Sequence, residues 1–234
     1  MQSISVGFPL SKLHRTKTSQ GITKTFEELM ISGNLKPGDR LPPERELAKH
    51  FRVNRATLRE AIHVLHERGL VDRRNRTGTR VASVKASSVG AAIERFYLLN
   101  NCSHREMHEV RSVLEPQSAA LAARHAKKED LEQLNKLLNE LEKCWQEGDA
   151  KRLASVDVQF HVALAAASHN SLIAAIFSGL TPILEKFLYV QHSHLHRPKS
   201  FAMHREVYQA VAKQDAKRAW ETMVRHMKTT PAFK

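Results

Sequence analysis

Residues 44–69, ERELAKHFRVNRATLREAIHVLHERG, restrict the possible folds of this chain more than any other stretch. Glu44 to Phe51 has the length of a short helix, and the two prolines before it suit a helix N-terminus. The break RVN follows and ends in Asn54, a favourable N-cap for a second helix that stops at Gly69. An apolar stripe at helical spacing supports that second helix: Leu58, Ile62 and Leu65. The stretch therefore predicts two helices joined by a tight turn.

The flanking segments complete a small domain. Residues 20–33, QGITKTFEELMISG, place apolar side chains at helical spacing and stop at Gly33, which predicts an earlier helix. After Gly69, the segments LVDRR and TRVASV enclose the turn NRTG and suit a two-stranded hairpin. This order of elements is that of a winged helix-turn-helix, whose third helix enters a major groove of DNA. We assign this fold to residues 1–85, together with an N-terminal tail.

The formal charge of +13 is concentrated in the same part of the chain. Residues 1–85 contain 17 Lys and Arg against 8 Asp and Glu, whereas residues 86–234 contain 20 against 16. Such a bias is typical of a domain that binds a polyanion, although a well-solvated basic surface would show it as well. Charge and fold together predict that this domain binds double-stranded DNA.

The predicted DNA contacts lie in three places. The third helix begins with two arginines, which can pair with guanine or hold phosphates, and a threonine, which can touch a phosphate or a thymine methyl group. These residues are Arg55, Thr57 and Arg59. Arg45, early in the second helix, can reach the DNA backbone with the help of that helix's N-terminal dipole. The small basic tip of the wing can enter the minor groove, and it comprises Arg76, Thr77, Gly78 and Thr79.

Residues 86–234 contain one helical pattern after another and no strand pattern. Helix starts are marked by the capping-box pair Ser103 and Glu106 and by Asp149 and Asn170. Pro116 falls inside one of these helices and predicts a kink or a restart. We therefore expect a mainly α protein, in which the second domain is an all-helical bundle of six or seven helices.

The sequence also indicates where the protein resides. No apolar run reaches the roughly 20 residues that a membrane-spanning helix requires, and the N-terminus lacks the apolar segment of a signal peptide. The two cysteines, Cys102 and Cys144, are far apart and do not suggest a disulfide framework. These features predict a cytoplasmic protein without a membrane partner.

One polar group in the predicted bundle stands out. Asp157 and His161 lie four residues apart in DVQFHVALAAASHN, so both side chains share one face of an otherwise apolar helix. His204 and His226 lie among apolar neighbours in two later helices, and the four side chains can converge inside a bundle. They would suit zinc, nickel or a similar divalent ion, but they also fit half of a catalytic site, a buried ion pair or a hydrogen-bonded core. A second, weaker candidate cluster lies in QHSHLH: His192, His194 and His196.

Residues 41–81 resemble the DNA-binding domain of the GntR-type bacterial transcription regulators. The stretch LPPERELAKHFRVNRATLREAIHVLHERGLV, followed by RTGTRV, matches the family pattern nearly throughout. The resemblance implies that four residues occupy the family's DNA-contact positions: Arg45, Arg55, Arg59 and Gly78. The alternative is that the arginines cap helices or pair with Glu44, Glu46 or Glu60. The first glycine of the family's wing is replaced here, which affects the wing contacts rather than the fold.

The bundle resembles the FCD effector domain of the FadR subfamily of these regulators. The resemblance rests on EVRSVLEPQSAALAARHA, DVQFHVALAAASHN and MHREVYQAV…DAKRAWETMVRHM. It implies a metal site formed by Asp157, His161, His204 and His226, although the family's third histidine commonly follows acidic residues and here follows FAM. In the motif ExRxxLE, which contains Glu109, Arg111 and Glu115, the arginine commonly meets the carboxylate of an acidic effector. The alternative for Arg111 is a salt bridge to Glu115 one helical turn away.

These features predict a ligand-responsive transcription regulator, most simply a repressor that binds a palindromic operator as a homodimer. A small carboxylic acid bound by the metal and Arg111 would release it from DNA. A metal-dependent hydrolase is the first alternative, but HExxH, GxSxG and a glycine-rich phosphate loop are absent from the sequence. A non-switching architectural DNA-binding protein with a helical dimerisation domain is the second alternative.

Overall fold

The computed structural model describes residues 13, 16–74, 78–84, 86–194 and 198–229. The chain divides into two compact units, Met1–Val84 and Lys85–Lys234. The first unit contains three helices and two strands: α1 (Ser19–Ile31), α2 (Glu44–Phe51), α3 (Arg55–Glu67), β1 (Val71–Arg74) and β2 (Gly78–Val81). This is the predicted helix, helix, turn, helix and hairpin.

The tight turn between α2 and α3 has a clear local cause. Arg52 adopts a left-handed backbone with φ 55°, which ends α2 and redirects the chain. The side chain of Asn54 then accepts a hydrogen bond of 2.8 Å from the backbone N–H of Thr57 and caps α3. Apolar side chains from all three helices and the hairpin hold this geometry by filling one core, which includes Phe26, Leu47, Phe51, Leu58, Ile62 and Val71.

The wing is a two-stranded antiparallel sheet in which Val71 pairs with Val81 and Arg74 with Gly78. The segment that precedes α2 extends it, because Leu41 donates its N–H to the carbonyl of Thr79 and Arg40 bridges to Arg80. Arg76 and Thr77, predicted at the tip of the wing, lie outside the described residues.

The second unit confirms the all-helical prediction, with seven helices in the described residues. These are α4 (Ala86–Leu99), α5 (His104–His125), α6 (Lys128–Glu147), α7 (Ala150–Ala167), α8 (Ser171–His194), α9 (Pro198–Ala212) and α10 (Ala216–Thr229). The predicted restart at Pro116 is wrong, because α5 continues through it. Buried residues on both sides, among them Arg111 and Ala119, anchor both halves of α5 in the bundle despite the missing backbone donor.

Two apolar clusters organise the bundle. The larger one joins residues of α5, α6, α7, α9 and α10, including Leu134, Phe160, Val207 and Met223. The smaller one packs α8 against α7 and the start of α5. Polar side chains of α5, α7, α9 and α10 are buried in the same bundle. None of the described helices combines the length and apolarity that crossing a membrane requires.

Candidate functional site

Three histidines from three helices meet inside the bundle. His161 on α7, His204 on α9 and His226 on α10 are each no more than 3% exposed. Each offers a ring nitrogen that lies within 4.8 Å of the nitrogens offered by the other two. The His161 and His226 rings are stacked with centroids 5.3 Å apart, and His204 meets His226 edge-on at 4.4 Å. Three residues separated by long stretches of sequence thus form one cluster.

Asp157 completes the predicted quartet. It lies one turn before His161 on α7, and its Oδ1 atom is 2.8 Å from Nε2 of His204 and 3.9 Å from Nε2 of His161. Phe160, which is fully buried, covers the cluster by packing edge-on against His204 at 5.0 Å. The structure therefore clusters the three predicted histidines and places the predicted Asp157 beside two of them, His161 and His204, in a buried interior.

The spacing of these atoms fits a divalent cation. Zinc–nitrogen bonds of about 2.0–2.1 Å place two ligands of one ion about 2.9–3.4 Å apart, by simple trigonometry. The Nε2 atoms of His161 and His204 are 3.2 Å apart. Burial, followed by the neighbouring His204 and His161, holds the pKa of His226 well below its usual value, which favours the neutral imidazole that a metal needs. The donor set and its spacing thus suit a metal.

Arg111 and Glu115, on α5, form a buried ion pair next to the histidines. Both side chains are 2% exposed, and Nε of Arg111 donates to Oε1 of Glu115. This is the salt bridge that the i, i+4 spacing suggested. Among the described residues, Glu115 is the one hydrogen-bond acceptor of the Arg111 side chain. Four of the five N–H groups of the guanidinium therefore have no acceptor among these residues.

The second oxygen of Glu115 was not anticipated from the sequence. Oε2 lies 2.7 Å from Nδ1 of His161, so this carboxylate oxygen faces the imidazole ring. Burial would raise the pKa of Glu115, but Arg111 and His161 outweigh it and hold the pKa far below its usual value. The position of Glu115 one turn after Arg111 indicated the pair with Arg111, but nothing in the sequence indicated the contact with His161.

His108 is another polar residue on the same face of α5, one turn before Arg111. Its Nδ1 atom is buried and has no hydrogen-bond partner among the described residues. Burial and then the charge of Arg111 lower its pKa.

In the second predicted cluster, His192 and His194 lie in the last turn of α8, and His196 lies outside the described residues.

The predicted DNA-contact residues lie on the first unit. Arg45, Arg55 and Arg59 are exposed, whereas Thr57 is partly buried and donates its hydroxyl to Asn54. Gly78 has φ 83°, a conformation that favours glycine, and Thr79 follows it in β2.

Sequence reasoning offered Glu44 as an alternative partner of the helix arginines, but it missed two further arginines near this carboxylate and the wing. Arg59 donates to Glu44 at 2.8 Å, and Arg73 of β1 lies 3.6 Å from the other oxygen of Glu44. Arg40 adds a further cation to the wing, since its guanidinium lies beside Gly78. Arg40 and Arg73 come close to the predicted DNA-contact residues only because strand segments pair in the folded structure, and the sequence alone does not show this pairing.

Comparisons with known families account for most of the chain. The family described as "Bacterial regulatory proteins, gntR family" matches residues 18–81, and the FCD domain matches residues 106–229. The FCD match alone covers more than half of the sequence.

Several curated proteins are similar over nearly the whole length. The chain is 31% identical to the Uxu operon transcriptional regulator of Escherichia coli K12, over 89% of this chain and 83% of that protein. It is 29% identical to the HTH-type transcriptional regulator LutR of Bacillus subtilis, over 85% and 93% of the two chains. The solved structure described as Streptococcus agalactiae GntR aligns with a TM-score of 0.59 and 26% identity, covering 90% of this chain and 98% of that one.

Proposed function

The chain belongs to the gntR family of bacterial transcription regulators and carries their FCD domain, and from this premise we propose that it is a cytoplasmic, acid-responsive repressor. It is a DNA-binding regulator and not an enzyme. In this proposal a homodimer binds a palindromic operator, and a small carboxylic acid bound in the helical bundle releases it from DNA.

The DNA-binding role rests on the surface around α3. We assign base or phosphate contacts to the exposed arginines near the helix N-terminus and to the wing, as residues Arg45, Arg55, Thr57, Arg59, Gly78 and Thr79. The Asn54 cap fixes the start of α3, so Arg55 and Arg59 project from a defined backbone. The excess of positive charge in residues 1–85 supports attraction to the phosphate backbone.

The metal centre is assigned to Asp157, His161, His204 and His226. Imidazole and carboxylate ligands in this number suit zinc or nickel. A bound divalent ion would supply a Lewis-acidic position for an oxygen atom of the effector. The burial of all four side chains favours a fixed site, because α5 packs against α7, α9 and α10 and holds the three helices that carry the ligands.

The observation that carries the effector assignment is the burial of Arg111 with most of its N–H donors unused on described residues. A guanidinium that is 2% exposed and uses one N–H group on described residues retains four donors in a buried setting. A carboxylate is the ligand whose two oxygens match this planar fork and neutralise its charge. The nearby unsatisfied Nδ1 atom of His108 adds a polar group that a ligand can satisfy. A small carboxylic acid is therefore the proposed effector.

The metal assignment is tested by the zinc content of protein loaded with excess zinc and then desalted. We expect about one ion per chain in the wild type, because each chain carries one such set of four ligands. The variants His204→Ala and Asp157→Ala should lose most of it, whereas His63→Ala, which changes an exposed histidine of α3, should retain it. A wild type without zinc or nickel would exclude the metal centre.

The effector assignment is tested by thermal unfolding of the zinc-loaded protein with a panel of hydroxy, sugar and dicarboxylic acids. An acid present at about 100 times its Kd should stabilise the fold by about 2.7 kcal/mol. Arg111→Lys keeps a cation for Glu115 but loses the planar fork, so it should abolish the shift. Arg105→Lys, an exposed change on the same helix, is the matched control. If no acid shifts the wild-type transition, the protein is a DNA-binding protein without this switch.

A further inference from the structure

Glu115 has two oxygens that face two different functional groups. Oε1 accepts the Nε–H of Arg111, the proposed acid-binding residue, and Oε2 lies 2.7 Å from Nδ1 of His161, a proposed metal ligand. All three side chains are at most 2% exposed. Neither Oε2 of Glu115 nor Nδ1 of His161 has another hydrogen-bond partner among the described residues, so each is the available partner of the other. One carboxylate therefore joins α5 to α7.

We propose that Glu115 is a positioning residue that orients His161 for the metal and holds Arg111 for the acid, and so links the two halves of the effector site. It touches neither the acid nor the ion in this assignment. The inference rests on the proposed function, since it requires that the four clustered residues bind a metal.

The chemistry of imidazole explains the first half of this role. A neutral histidine has one N–H and one lone pair, and the partner of one nitrogen decides which nitrogen carries the proton. With Nδ1 facing the Glu115 carboxylate, the proton belongs on Nδ1 and the lone pair on Nε2. Nε2 is the atom that lies 3.2 Å from Nε2 of His204 and 3.9 Å from Asp157. A carboxylate behind a ligating histidine is a common device, and its loss weakens metal binding about 10–100-fold.

The second half concerns Arg111. Burying a lone guanidinium would cost too much free energy, and Glu115 neutralises this one by accepting from Nε. The two outer nitrogens of Arg111 have no acceptor among the described residues, so they remain available to a ligand. The same carboxylate therefore fixes both the ligand geometry and the acid receptor. Because coupling between two ligands is reciprocal, zinc and the acid should raise each other's affinity by one common factor.

A purely structural ion pair predicts different behaviour. In that case replacing Glu115 would destabilise the fold, and any loss of zinc binding would be independent of His161. If Glu115 acts through His161, its replacement has no further effect on zinc once His161 is gone. This non-additivity separates the two roles.

The experiment measures zinc affinity by competition with a coloured chelator in the wild type, Glu115→Gln, His161→Ala and the double variant. We expect Glu115→Gln to weaken zinc binding about 10–100-fold in the wild-type background and less than about twofold in the His161→Ala background. Glu109→Gln changes an exposed carboxylate of the same helix and should leave the affinity unchanged.

A second variant covers the case in which Glu115→Gln does not fold. Glu115→Gln combined with Arg111→Met removes both buried charges and should fold, yet it should still bind zinc about 10–100-fold more weakly. Wild-type affinity in Glu115→Gln or in this pair would overturn the inference while leaving the metal centre intact. Equal losses with and without His161 would also overturn it. A wild type that binds no zinc would overturn both the inference and the proposed metal centre.

Discussion

Glu44 holds two arginines of the proposed DNA-binding surface. Its carboxylate accepts from Arg59 of α3 at 2.8 Å and lies 3.6 Å from Arg73 of β1. The pair is partly exposed, so it adds little to stability, but it fixes where Arg59 points and places a negative charge close to the phosphates. Orientation and repulsion both favour specific over non-specific binding.

We therefore expect Glu44→Gln to lower the ratio of specific to non-specific affinity by about tenfold, roughly the value of one well-placed arginine contact. Fluorescence anisotropy measures this ratio with a duplex selected from a random library and a scrambled duplex. The non-specific affinity should rise and its dependence on salt should steepen. Glu46→Gln is the matched control, because Glu46 makes no ion pair among the described residues. An unchanged ratio in Glu44→Gln would show that the pair is incidental.

At the scale of helices, α4 and α8 approach each other through two glycines. A Cβ atom added to Gly179 would lie 2.6 Å from Cα of Gly90, and one added to Gly90 would lie 2.9 Å from Cα of Gly179. Real Cβ atoms do not approach backbone this closely, so any side chain at either position must push the helices apart. The close contact explains why two residues with poor helix propensity occur inside these helices.

Gly179→Ala should lower the free energy of unfolding by about 1–3 kcal/mol, as overpacked cores do. Helix propensity alone predicts the opposite sign, a gain of about 1 kcal/mol. Chemical denaturation of the zinc-loaded protein gives the value. Ser88→Ala, at an exposed position of α4, should change it by no more than about 0.5 kcal/mol. A stabilised Gly179→Ala would disprove the close contact.

The start of α5 is fixed by a capping box. Ser103 accepts from the N–H of Glu106, and Glu106 accepts from the N–H and hydroxyl of Ser103. The backbone N–H of Ser103, followed by its hydroxyl, lowers the pKa of Glu106 below the usual 4.5. The ionised carboxylate therefore stabilises the fold at pH values above 4.5, and this stabilisation is lost as pH falls through the lower pKa of the folded state.

Glu106→Gln keeps the side-chain length but removes the charge. The wild type should melt at a higher temperature than this variant near neutral pH, and the difference should close as the pH falls below 4.5. Thermal unfolding followed by circular dichroism across this range tests it. A difference in melting temperature that does not depend on pH would mean that the charge of Glu106 has no part in the cap.

Most of the elements could be predicted because their signals are local. Asn54, Asp149 and Asn170 each cap the helix that the sequence assigned to them. The restart expected at Pro116 does not occur, because the lost hydrogen bond is a local cost, whereas the burial that offsets it comes from the rest of the bundle.

The candidate site was only partly predictable. The i, i+4 spacing gave the common face of Asp157 and His161, apolar surroundings in later helices singled out His204 and His226, and the family pattern joined the four as one set of ligands. The bridge from Glu115 to His161 was not foreseen, because it crosses between two helices and periodicity within one helix carries no information about it. The same limit applies to Arg73, which reaches Glu44 through the pairing of the wing with the rest of its unit.

At the scale of the whole molecule, one chain contains two units with different chemistry. Residues 1–85 carry most of the net positive charge, and the second unit buries the histidine cluster and the Arg111–Glu115 pair. The proposed function requires that the acid has different affinities for the DNA-bound and DNA-free states of the protein. Coupling free energies of about 1–3 kcal/mol are typical of such switches.

The most direct test is the affinity of the zinc-loaded protein for a selected duplex, with and without the acid that stabilises it. We expect the acid to raise the Kd for DNA about 5–150-fold in the wild type. The acid should have no effect in Arg111→Lys, which should bind the duplex normally in its absence. Wild-type protein that binds the duplex equally well with and without the acid would contradict the account.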